Sequence, residues 1–163
     1  MTITRILVPT DFSAHADAAL DYAIDLAEPL GATVVLLHVI EDPLAGGMWS
    51  SELYSAEIAG LQINLMKDAE ERLCRTAAES GKQIISERRV RTGRAAATIV
   101  EAAVETKADL IVMGTAGRTG LAHVFMGSVA ERVVRTAACP VLTLRAALVP
   151  APAGYDVSTT IAV

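Results

Sequence analysis

Short apolar runs alternate with stretches of helical period along almost the whole chain, and that alternation leaves few architectures open. Ile3–Pro9 is a first run, rich in Ile and Val. Thr33–Ile40 (TVVLLHVI) is nearly unbroken, the pattern of a strand covered on both faces. Ile84–Arg91 is more polar and reads as an edge strand. Ala108–Met113 and Pro140–Leu144 complete a set of five. Between them lie four helical patterns. In the first, Ser13 is placed as N-cap, Ala19, Tyr22, Ala23, Leu26, Ala27 and Leu30 recur at inward spacing, and Gly31 closes the helix. Asp17, Asp21, Asp25 and Glu28 fall on its opposite, solvated face. The second carries Ile58, Leu61, Leu65, Ala69, Leu73 and Ala77 inward. The third is opened by Gly93, with Ala96, Ile99, Val100, Ala103 and Val104 inward. The fourth spans Gly127–Ala138, with Val129, Ala130, Val133, Val134 and Ala137 on one side. Strict β-α alternation with right-handed crossovers predicts an α/β single domain: an open five-stranded parallel sheet with helices on both faces. The segment 146–163, with Pro150, Pro152 and Gly154, reads as a C-terminal extension to a domain of residues 1–145.

Composition narrows the function classes. Of 163 residues, 52% are hydrophobic but only 4% aromatic, which excludes disorder and base recognition by aromatic stacking. A net charge of −5 argues against a nucleic-acid partner. The longest charge-free stretches, Pro29–Ile40 and Thr119–Ala130, fall well short of the about 18–20 apolar residues of a spanning helix. No signal-peptide pattern opens the chain, so no membrane association and a cytoplasmic location are expected. Cys74 and Cys139 stand apart and read as free thiols. His15, His38 and His123 are isolated, so no metal ligands are assigned.

In an open α/β sheet the ligand site lies beyond the C-terminal strand ends. The loop after the fourth strand stands out there. Gly114 and Gly117 lack a Cβ and permit tight turning and close backbone approach. Gly127 and Ser128 open a helix whose first N–H groups and dipole suit a phosphate. Arg118 could offset phosphate charge. The same spacing also suits an ordinary glycine-rich loop followed by a helix cap. There is no GxxxxGK[ST] and no GxGxxG after the first strand, so neither a P-loop nor a dinucleotide fingerprint is present.

Ala108-Asp-Leu-Ile-Val-Met-Gly114, Gly117-Arg118-x-Gly120-Leu121, Gly127-Ser128-Val129-Ala130 and Cys139-Pro140-Val141-Leu142 together resemble the universal stress protein family. The G-x2-G-x9-G-[ST] spacing of its ATP-binding branch is met residue for residue. Ile6–Ser13 and Gly93-x-x-Ala96-x-x-Ile99 are similar to that family as well, over residues 1–145. The resemblance implies a Rossmann-like fold of the adenine nucleotide alpha hydrolase type. It implies that Asp11 meets the adenosine, with Pro9 and Thr10 shaping the same wall and Val39 contacting adenine through its backbone. Met113 and Gly114 would line the adenosine side, and Gly117, Gly127, Ser128 and Val129 would cradle phosphates, with Arg118 nearby. The implied ligand is ATP, or ADP or AMP, with magnesium carried on the phosphates. The last strand, Val141–Leu144, would pair with a second copy in a homodimer.

No catalytic residue is assigned: Ser128 reads as a phosphate donor, and no base is placed for attack on a γ-phosphate. The expected function is a nucleotide-binding regulatory protein of the stress response, whose occupancy alters interactions with an unidentified partner protein. The alternative is a slow ATPase or a phosphoryl or adenylyl transferase using the same pocket.

Overall fold

The computed structural model describes residues 2–41, 56–80, 83–115 and 126–145. Residues 42–55, Trp49 among them, lie outside the described residues, as do Gly117, Arg118, His123 and the extension 146–163.

The elements follow in the order β1 (Arg5–Thr10), α1 (Ala14–Leu30), β2 (Thr33–Glu41), α2 (Ala56–Glu79), β3 (Ile85–Gly93), α3 (Ala95–Glu105), β4 (Leu110–Gly114), α4 (Ser128–Thr136) and β5 (Val141–Leu144). All strands are parallel, in the order β3-β2-β1-β4-β5. The expected five-stranded sheet is therefore present, with polar β3 at an edge. The chain moves outward from β1 through β2 to β3, then crosses to β4 on the other side of β1. The strand order thus reverses between β1 and β4.

Side chains of β1 alternate between two cores. Ile6 and Val8 join Ala19, Leu20, Ala23, Ile24 and Ala27 of α1 and Leu73 of α2 on one face. Leu7 joins Ile99, Ala102 and Ala103 of α3 and Ala130 and Val133 of α4 on the other. Burial on both faces explains the unbroken apolar run of β2. Ser13 caps α1, its Oγ accepting from Ala16 N at 3.3 Å, and Gly31 ends that helix at φ 62°.

The helix faces differ from expectation in instructive ways. On α1 the buried set is Ala16, Ala19, Leu20, Ala23, Ile24 and Ala27, while Tyr22 and Leu30 are exposed. The period is as expected, but the face is shifted by three positions, about 60° around the axis. Small alanines face the sheet and permit close packing. On α2, among the residues whose burial is described, only Ala69 and Leu73 are buried, whereas Leu61 is 59% exposed and Leu65 is also exposed. Edge strand β3 offers that face only Ile85 and Val90, so the apolar surface beneath α2 ends early. Val104 of α3 and Val134 of α4 are exposed too. Gly93 does not open α3. It ends β3 at φ 147°, where a Cβ would sit 2.6 Å from Thr98 Oγ1.

Candidate functional site

A cavity of about 360 Å³ opens at the C-terminal ends of β1, β2 and β4, where the strand order reverses. Its lining includes Pro9, Thr10, Asp11, Val39, Met113, Gly114, Gly127, Ser128 and Val129. Nine of the expected site residues, spread over 120 positions of sequence, thus share one wall system. Ala16, His38, Glu41, Ala95, Ile99, Thr115 and Ala130 complete it.

The β1–α1 turn carries the acidic side. Thr10 Oγ1 accepts from Phe12 N at 3.0 Å. Asp11 Oδ1 accepts from Ser13 N at 3.1 Å and from the Ser13 hydroxyl at 2.6 Å. The Asp11 carboxylate is therefore fixed by its own turn while it lines the cavity. Phe12 adopts φ 61°, an uncommon conformation for a bulky residue. His38 Nδ1 lies 2.8 Å from the Thr10 carbonyl. A carbonyl only accepts, so Nδ1 carries the proton and donates.

The opposite side is formed by the start of α4. Gly127 N donates to the Thr115 carbonyl at 2.7 Å, and Thr115 N donates to the Leu144 carbonyl at 2.8 Å. The two ends of the intervening segment are thereby held together at the cavity rim. Gly127 precedes α4 with no side-chain cap bond, so a cap does not take the first-turn N–H groups of Ser128 and its neighbours. That amide set and the helix dipole favour an anion. Asp11 and Glu41 favour hydroxyl or amino donors elsewhere in the same cavity. Ile99, Met113 and Val129 add aliphatic wall. The arrangement suits a ligand that combines an anionic group, hydroxyl or amino donors and apolar surface.

The glycines act differently from the simple expectation of close ligand approach. A Cβ on Gly114 would lie 3.1 Å from the His15 carbonyl, so this glycine lets α1 pack against the end of β4. His15 accordingly backs Gly114 and is not part of the lining. A Cβ on Gly127 would lie 3.1 Å from the Thr115 carbonyl, so a branched residue there would strain the rim itself. Ile99 and Ala130 belong to the inward helix faces of the sequence pattern, and Ala95 lies outside them. Helical periodicity alone does not show that the end of an inward face borders a cavity.

A second cavity, about 410 Å³, lies between α1 and α2 and is lined by Phe12, Asp17, Asp21, Arg72, Arg75 and Glu79 among others. Burial, then neighbouring Asp21, Asp11 and Glu79, raise the Asp17 pKa, against an opposing effect of Arg72. The lining of this second cavity includes no helix start without a side-chain cap.

The family model of the universal stress proteins matches residues 2–145. The chain belongs to the universal stress protein family. Among universal stress proteins of known sequence, MJ0531 of Methanocaldococcus jannaschii is 38% identical over 148 residues, covering 86% of this chain and 81% of that protein. Among solved structures, hypothetical protein MJ0577 superimposes with a TM-score of 0.73 at 26% identity, over 89% of this chain and 97% of that one. A universal stress protein solved in complex with cAMP superimposes with a TM-score of 0.60 at 26% identity, over 89% of this chain and 98% of that one.

Proposed function

We propose that this universal stress protein binds an adenine nucleotide in the β1–β4 cavity and acts as a nucleotide-occupied regulator of a partner protein. The observation that carries the reading is the convergence of Asp11, Val39, Met113, Gly127 and Ser128 on one cavity at the strand-order reversal. The related structure holding cAMP supports an adenine ligand. In the proposed complex the phosphates meet the α4 amides and the Ser128 hydroxyl. Asp11 accepts from ribose hydroxyls, and the adenine lies between aliphatic walls beside the Val39 backbone. Among the described residues, no three His, Cys, Asp or Glu side chains converge as a metal cage. Magnesium is carried on the phosphates when ATP or ADP is bound.

Regulation by occupancy requires ATP, ADP or AMP to bind two conformations with different affinity. Calorimetry of the ligand-free protein with each nucleotide, with and without magnesium, tests the reading. Saturable 1:1 binding is expected, weakened about tenfold or more by Asp11→Asn, which replaces a charged acceptor. Ser128→Ala is expected to weaken AMP but leave adenosine unaffected. No binding of any of the three nucleotides at millimolar concentration overturns the proposal.

A further inference from the structure

Phe12 stands where two cavities meet. It lines the α1–α2 cleft, while its contact partner His38 lines the β1–β4 cavity. The two rings lie 4.4 Å apart between centroids, tilted by 35°. The Arg72 guanidinium of α2 sits over the Phe12 ring, 4.1 Å from its centroid. A continuous contact therefore runs from α2 through Phe12 to the wall of the candidate nucleotide site.

The backbone at Phe12 makes that contact consequential. A positive φ at a bulky residue is unfavourable, and it persists only where the surroundings determine it. Here one constraint is the hydrogen bond from Phe12 N to Thr10 Oγ1 at 3.0 Å. The others are the ring contacts with His38 and Arg72. The turn reverses between adjacent residues, so Asp11 faces one cavity while the Phe12 ring faces the other. His38 closes the arrangement by donating from Nδ1 to the Thr10 carbonyl, one residue before Asp11. The same turn holds the Asp11 carboxylate through the Ser13 N–H and hydroxyl.

We propose that Phe12 and Arg72 are positioning residues for Asp11, holding its carboxylate where it accepts from ligand ribose hydroxyls. This rests on the nucleotide reading above. Arg72 supplies the cation–π contact that seats the ring, and α2 thereby sets the ligand's sugar preference without touching the ligand.

The test compares AMP with 2′,3′-dideoxy-AMP, which lacks the hydroxyls that Asp11 meets. Calorimetry is run on wild type, Asp11→Asn, Phe12→Gly, Arg72→Ala and Arg72→Lys. Glycine accepts a positive φ, so Phe12→Gly removes the ring without adding strain. Arg72→Ala changes an exposed α2 residue and keeps the backbone of the turn intact.

Wild type is expected to favour AMP over the analogue. Asp11→Asn, Phe12→Gly and Arg72→Ala each shrink that preference by about three- to tenfold, while affinity for the analogue stays within about twofold. Arg72→Lys retains a cation over the ring and most of the preference. Equal weakening of both ligands, or an unchanged preference in both Phe12→Gly and Arg72→Ala, overturns the positioning role. In those cases a preference that still falls in Asp11→Asn leaves the nucleotide reading standing. A wild-type protein that binds neither ligand overturns both.

Discussion

Asp109 is a small side chain with several backbone connections. Its Oδ2 accepts from Thr4 N and Thr4 Oγ1, each at 2.8 Å, and from Arg5 N at 3.0 Å. It thereby ties the start of β4 to the start of β1, the strand pair that frames the candidate site. The Thr4 backbone hydrogen bond, followed by the Thr4 hydroxyl, holds its pKa below the usual 3.8. A depressed folded-state pKa means the stabilisation is present above the unfolded pKa and is lost as pH falls through the folded one. Asp17 has the opposite sign: burial and neighbouring carboxylates raise its pKa, so its charged form opposes folding near neutrality. Urea unfolding between pH 7 and pH 2 checks both signs. Asp109→Asn is expected to lower the midpoint at pH 7 and flatten the decline below about pH 4. Asp17→Asn is expected to raise the midpoint at pH 7, with the difference closing as pH falls. Asp109 was not legible as an anchor in sequence, because its partners lie 104 and 105 positions away. Asp11, which lines the β1–β4 cavity, was legible as a candidate because the family resemblance supplied a distant context that local spacing lacks.

Helices show why period was easier to read than orientation. The i, i+3, i+4 rhythm of α1 locates a helix, but two faces with that rhythm overlap in an alanine-rich segment. The buried face carries Ala16, Ala19, Ala23 and Ala27 together with Leu20 and Ile24. Leu26 is left half-covered and Tyr22 exposed. On α2 the pattern marks a longer apolar stripe than edge strand β3 can cover. The strands were more legible. Pairing and burial on both faces leave a buried parallel strand little choice but a continuous apolar run. The α2 contrast gives a direct prediction. Leu73, at 1% exposure, joins α2 to the α1–sheet core, and Leu73→Ala should cost about 2–5 kcal/mol. Leu61→Ala should change stability by less than about 0.5 kcal/mol, as expected for an exposed site. Equilibrium urea unfolding of the two variants measures the difference, and equal losses would mean that the first half of α2 is covered in solution.

At the scale of the whole molecule, the sheet has two contrasting edges. On β3, Arg88, Arg89 and Arg91 place charge along the edge, and Arg89 and Arg91 both pair with Glu105 of α3. Such charge discourages strand addition. On β5, Val141, Leu142, Thr143 and Leu144 carry none. Ile111 N donates to the Pro140 carbonyl and Thr115 N to the Leu144 carbonyl, so alternate residues of β5 face β4. The backbone groups of Val141 and Thr143 consequently face away from β4, where no further strand pairs among the described residues. We propose that this edge pairs with its equivalent in a second copy. The symmetry is that of an isologous dimer, in which one patch serves both subunits. Thr143→Pro removes the outward N–H while leaving the bonds to β4 in place. Wild type should sediment as a dimer with a melting temperature that rises with protein concentration, because association stabilises by mass action. Thr143→Pro should sediment as a monomer, and its melting temperature should lose that dependence. A Thr143→Lys variant provides the independent check, since charge at an edge opposes pairing without removing a donor. A wild type that stays monomeric at its highest soluble concentration, or a dimer that persists in both variants, excludes β5 as the contact.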